Sequence, residues 1–106
     1  YDPCSATGQI AGGANLIAFT TGRGSVFGSK PAPTLKIASN SALAKRMPDD
    51  IDIDCGRLIS AEKTMSELGE EIFARLLQVA SGERTASEIN DIGDEEFVPW
   101  VPGATM

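Results

Sequence analysis

The apolar run Leu16-Ile17-Ala18-Phe19 breaks directly into Thr20-Thr21-Gly22-Arg23-Gly24-Ser25. A short continuous apolar run bounded by turn residues predicts a strand buried on both faces. Such a strand needs a sheet around it and layers above and below. A second strand is expected over Thr34–Ala38, with Leu35 and Ile37 on one side and Lys36 on the other. Pro31 and Pro33 mark its start, where a missing N–H does least harm. Two hydroxyls, a guanidinium, an ammonium and unhindered backbone N–H groups therefore gather near one strand end. That is the chemistry needed to hold a carboxylate or phosphate.

The flanking segments read as helices and one more strand. Residues 5–14 are small and Gly-rich, and form either a short helix capped by Ser5 or a loop. Ser39 or Asn40 can cap a short helix through Met47, with Lys45 and Arg46 complementing the dipole at its end and Pro48 stopping it. Ile51–Asp54 alternates with period two, as a half-buried or edge strand does. Thr64 and Glu67 form a capping box for a helix over Met65–Ser81. Its apolar face is Leu68, Ile72, Phe73, Leu76, Val79 and Ala80. Glu67, Glu70, Glu71 and Arg75 are expected to face outward, with Glu71 and Arg75 paired at i,i+4.

This alternating order predicts an α/β fold: a small layered domain with a short, mainly parallel sheet, flanking helices and an extended C-terminal arm. The division expected is a core over 1–82, then an acidic linker and apolar arm over 83–106. The arm, Phe97–Pro102, holds two prolines and two aromatics, and is expected to lie in an apolar groove of this domain or of a neighbouring chain. In the second case it would support a homo-oligomer.

Composition removes several classes of function. At 106 residues there is room for one domain. A net charge of −6 disfavours nucleic acid, whose binding face must be basic. No run approaches the length of a membrane span. The chain contains no His, which excludes a Ser/His/Asp or Cys/His set and any His-based metal site within it. Cys4 and Cys55 match no zinc spacing and read as free thiols of a cytoplasmic protein, with a disulfide as the alternative. Asp49, Asp50, Asp52 and Asp54 lack the turn and distal Glu of a calcium loop and read as a solvated acidic edge. The first residue is Tyr1, and a piece of a longer protein is expected.

Gly22, Gly24 and Gly28 give G-x-G-x-x-x-G after a strand. The spacing departs from the dinucleotide fingerprint, and Ser29-Lys30-Pro31-Ala32-Pro33 stands where a helix should begin. Two readings of the turn stay open. In one, the N–H groups at Gly22 and Gly24 converge on an anion, Arg23 adds a two-pronged contact, and Thr20 and Thr21 supply hydroxyls. In the other, the glycines serve tight turns, Arg23 pairs with Asp52 or Asp54, and Lys36 faces water.

FTTGRGS, the FG that follows, PTLKIASNSALA, IDIDCG and the helix MSELGEEIFARLLQVASGE together resemble the C-terminal region of the altronate hydrolase / D-galactarate dehydratase family. The resemblance runs from Tyr1 to about Gly82 and extends to the terminal FVPWVPGATM. It implies the last portion of a longer hydro-lyase that removes water from a sugar acid to give a 2-keto-3-deoxy acid. It also implies a divalent metal, iron(II) or manganese, held mainly by upstream domains of the same enzyme. Under that resemblance the substrate-binding residues are Thr20, Thr21, Gly22, Arg23, Gly24, Lys36 and Asn40, with Arg23 and Lys36 at the carboxylate. The general base would lie upstream, so this chain alone would be inactive. A non-catalytic small-carboxylate binding domain, or an assembly domain, is the alternative.

Overall fold

A computed structural model describes residues 2–98. Three strands form one parallel sheet in the order β1-β2-β3: β1 is Ile17–Thr21, β2 is Thr34–Ala38 and β3 is Ile53–Asp54. Helices α1 (Asp2–Ala11), α2 (Ser41–Arg46), α3 (Met65–Ala80) and α4 (Ala86–Ile89) flank it, with a 3₁₀ turn over Cys55–Leu58. The layered α/β architecture expected from the sequence is the one observed. The arm expected over Phe97–Pro102 lies largely outside the described residues.

The central strand is β2, and all five of its residues are buried. Leu35 and Ile37 pack with Ile53 and Val79, backed by Leu16, Cys55, Ile72 and Leu76. This cluster joins the sheet to α3. On the opposite face Phe27 stacks on Phe19 with ring centroids 5.5 Å apart. The loop after β1 therefore folds back across the sheet and does not start a helix, as the failed dinucleotide spacing requires.

Several local expectations are corrected. The strand buried on both faces is β2; β1 lies at the sheet edge, and only Ile17 of its five residues is buried. Helix α1 begins at Asp2, so Ser5 lies inside it and caps nothing. Strand β3 is only Ile53–Asp54, because Asp52 and Asp54 turn their side chains to other work. Helix α3 has the expected capping box, Thr64 with Glu67. However, Phe73 and Ala80 fall on its outer side, since the sheet is too narrow to cover the full apolar stripe. Glu71 and Arg75 do not pair with each other. Arg57 takes Glu71, and Arg75 reaches Asp52.

A fourth helix was concealed in the polar stretch after Gly82. Thr85 and Glu88 form a second capping box around α4. The Ala86 N–H donates to the Asp52 carboxylate at 2.8 Å, tying this helix to the sheet.

Candidate functional site

The C-terminal ends of β1 and β2 carry the turn Gly22–Gly24 and the cap residue Asn40. Three side chains hold the turn. The Thr21 hydroxyl accepts the Gly24 N–H at 3.1 Å. The Asn40 amide donates to the Gly22 carbonyl at 2.9 Å while its oxygen accepts the Leu43 N–H at 2.8 Å, capping α2. Arg46 donates to the Arg23 carbonyl at 2.8 Å. Gly24 sits at φ +119°, and a Cβ there would fall 2.5 Å from Met47 Sδ. Only glycine fits that backbone and that space.

Lys36 lies beneath the turn. It registers opposite Phe19 on β1 and is fully buried. Its Nζ donates to the Ser25 carbonyl at 3.2 Å, so the lysine props the loop from below. Burial pushes its pKa down, against the opposing pull of Asp50 and Asp52. Lys36 does not face water, contrary to one reading of the sequence. Its ammonium has no carboxylate within ion-pair distance among the described residues.

The acids that one reading of the sequence pairs with Arg23 are committed elsewhere. The Asp52 carboxylate accepts the N–H groups of Lys36 and Ala86, both at 2.8 Å, and its side chain is 3% exposed. The solvated acidic edge is thus broken at Asp52. Asp54 caps the 3₁₀ turn through the Gly56 N–H at 2.8 Å. Arg23 is exposed, and among the described residues its guanidinium makes no hydrogen bond or ion pair. Thr20 is exposed at the same strand end.

The fold therefore brings together Thr21, Gly22, Gly24 and Asn40 in one braced turn, sets Lys36 under it, and projects Arg23 and Thr20 outward. The Gly24 N–H is occupied by Thr21, so the turn is not an open nest of free N–H groups. Arg46 is the contributor that sequence reasoning missed. Its position in the last turn of α2 explained its charge as a dipole partner, which left its reach to Arg23 unseen.

A family model for the C-terminal part of D-galactarate/altronate dehydratases matches residues 1–105. The chain belongs to that family. It is 42% identical over 102 residues to the altronate dehydratase of Escherichia coli (strain K12), covering 95% of this chain and 20% of that protein. It is 40% identical over 78 residues to the galactarate dehydratase (L-threo-forming) of the same organism, covering 74% of this chain and 15% of that protein. It is also 32% identical over 95 residues to the (2R)-sulfolactate sulfo-lyase subunit beta of Chromohalobacter salexigens, covering 90% and 23% respectively. The chain thus spans about a fifth of the length of these relatives.

The metal that the family resemblance implies is expected mainly on upstream domains, not on a complete ligand set within this chain. Among the described residues no group of three or more His, Cys, Asp or Glu side chains is placed to hold an ion. Cys4 and Cys55 are free thiols, as expected. No described helix is long and apolar enough to cross a membrane.

Proposed function

We propose that this chain is the part of a sugar-acid dehydratase that receives the substrate carboxylate, with Arg23 as the contact. The observation that carries this reading is the contrast at the turn. Its backbone is braced by Thr21, Asn40 and Arg46, while among the described residues the Arg23 guanidinium is left uncommitted at the carboxyl end of a parallel strand. Ligands of parallel α/β sheets sit at that end. A planar guanidinium on a fixed backbone can take a carboxylate with two parallel hydrogen bonds.

The chemistry gives such a contact a role beyond binding. The proton on C2 of a hydroxy acid leaves as negative charge spreads onto the adjacent carboxylate. A cation fixed at that carboxylate stabilises the charge as it develops. The C2–C3 double bond then forms as the C3–O bond breaks, hydroxide leaves with a proton as water, and the enol tautomerises to the 2-keto-3-deoxy acid. The named substrates of the relatives support this division of labour. Altronate and galactarate would lose water, and sulfolactate would lose a sulfur group, yet all three are 2-hydroxy carboxylates. The shared end is the carboxylate. Lys36 acts from below by holding the loop, and Thr20 and Thr21 lie where substrate hydroxyls would pass. The base is assigned to the remainder of the enzyme.

The test is steady-state kinetics of the full-length enzyme bearing Arg23→Ala and Arg23→Lys, with altronate and galactarate as substrates. Loss of a charge-assisted bidentate contact is expected to lower kcat/KM by about 10²-fold for Ala, with partial recovery for Lys. The thermal transition is expected to be unchanged, because the side chain is exposed. A kcat/KM within about twofold of wild type would remove Arg23 from the site.

A further inference from the structure

Among the described residues the outer edge of β1 is unpaired. Ile17 N–H donates to the Pro33 carbonyl at 2.9 Å, and Ser39 N–H donates to the Thr21 carbonyl at 3.0 Å. Residues 17, 19 and 21 therefore turn their backbone groups toward β2, and by alternation Ala18 and Thr20 turn theirs away. Among the described residues nothing accepts or donates to those outward groups. Both residues are exposed. A groove of about 240 Å³ runs along this side, between Asp2, Ser5, Ala6 and Gln9 of α1 and residues 17–20 of β1.

An edge strand left to water is ordinarily short of apolar residues or guarded by Lys, Pro or a bulge. β1 has none of these guards, and Leu16-Ile17-Ala18-Phe19 has the composition of an interior strand. The sequence and the position disagree, and one more strand would remove the disagreement. The topology says where that strand belongs. The sheet order follows chain order, β1-β2-β3, with every neighbour parallel. Continued backward, the next place is beside β1, with α1 as the crossover helix, which is the right-handed strand–helix–strand unit. The family is the C-terminal part of proteins about five times longer, so most of such an enzyme precedes the matched stretch.

We infer that the Ala18/Thr20 edge of β1 is a docking site for a parallel β-strand contributed by the dehydratase polypeptide before α1. That strand completes a sheet of at least four and places its carboxyl end next to Thr20 and the Gly22–Gly24 turn. The candidate site would then be walled on its open side by residues from the larger part of the enzyme. This inference stands on backbone geometry and does not depend on the carboxylate reading.

Hydrogen exchange of the full-length enzyme, resolved to single amides, tests it. The Ala18 and Thr20 amides are expected to exchange at least about 10³-fold more slowly than in an unstructured chain, with the same protection expected for the Phe19 amide in the β1–β2 ladder. The protection is expected to be independent of enzyme concentration. Two results would overturn the inference. One is near-free exchange at Ala18 and Thr20 beside a protected Phe19. The other is protection lost on dilution to the monomer, which would assign the edge to a second copy. Neither result bears on the Arg23 kinetics, so the two ideas fail separately.

Discussion

Asp52 and Lys36 are joined twice, and neither bond uses the lysine's charge. The Asp52 carboxylate accepts the Lys36 backbone N–H at 2.8 Å, and the Asp52 N–H donates to the Lys36 carbonyl at 2.9 Å. The Lys36 ammonium meanwhile goes to Ser25 under the glycine turn. One residue thus extends the β2–β3 ladder ahead of the start of β3 and, through its carboxylate and Ala86, holds α4 against the sheet.

Asp52 is consequently expected to be the most sensitive polar position in the chain. Asp52→Ala leaves the Lys36 and Ala86 N–H donors without acceptors and removes the carboxylate 3.8 Å from Arg75, whose hydrogen bond to the Asp52 backbone carbonyl survives. Each loss carries a desolvation penalty, and together they are expected to cost about 3 kcal/mol. Asp52→Asn keeps one acceptor but turns an NH₂ toward a backbone N–H, so it is expected to recover less than half of that. Urea denaturation of the three proteins checks the ranking. An Asp52→Ala variant within about 0.5 kcal/mol of wild type would contradict it.

Lys36 is expected to make stability rise with alkaline pH. Burial lowers its native pKa below the ordinary lysine value. Between those two values the unfolded chain binds the proton and the native chain has released it. More protons on the unfolded state means that stability increases with pH across that window. Below the lowered native value the charged form is buried at full cost. Lys36→Met fills the same space without a charge, so its stability is expected to lack the alkaline rise. Denaturation of both proteins from about pH 7 to about pH 10.4 separates them. Parallel pH curves would show that the native lysine titrates as it does in water.

How far each position was legible depended on how local its cause was. The Thr64–Glu67 box was readable, and the α2 cap was narrowed to Ser39 or Asn40, because a cap needs only its own turn. The box at Thr85–Glu88 has the same signature, but α4 is four residues long and has no apolar period to point at it. Lys36 illustrates the opposite limit. Its burial depends on the loop after β1 folding back over the sheet, and a five-residue strand pattern carries no information about that return. Likewise i,i+4 spacing correctly made Glu71 and Arg75 neighbours, but Arg57 and Asp52 lie close in space and offered each a better partner. The alternation in Ile51-Asp52-Ile53-Asp54 was visible, whereas the inward acid that shortens the strand to two residues was not.

The Arg57–Glu71 pair is expected to mark the acid side of the stability profile. Both nitrogens of the guanidinium fork reach the carboxylate, one of them at 3.2 Å, and the side chains are 24% and 29% exposed. The Arg57 hydrogen bond holds the Glu71 pKa below the usual carboxylate range, with burial opposing it. A lowered carboxylate pKa contributes stability above the unfolded value and loses it as pH falls through the native one. Glu71→Gln is therefore expected to cost about 1 kcal/mol at neutral pH, a value limited by partial exposure. The difference from wild type should close in acid. A gap that persists below the lowered native pKa would mean that packing, not charge, is lost.

Two glycines give a paired prediction with opposite signs. Gly56 is buried in the 3₁₀ turn that follows β3, where the chain passes the start of α2. A Cβ added there would fall 2.7 Å from the Asn40 carbonyl carbon and 2.5 Å from Ser41 Oγ, and closer still to the Ser41 nitrogen. Most of that obstruction is backbone, which cannot swing aside as a side-chain tip can. Asn40 also braces the glycine turn, so any shift there is passed to the candidate site. Gly56→Ala is expected to cost about 3 kcal/mol, the upper end of overpacking. Gly69 is the contrast: it lies on the outer face of α3 with nothing within 4 Å of a Cβ. Gly69→Ala removes unfolded-state freedom and is expected to add about 0.4–1 kcal/mol. Thermal denaturation of the two variants reads both signs. A neutral Gly56→Ala would mean that the Ser41 end of α2 yields easily, and Asn40 would then be a poor brace for the turn it holds.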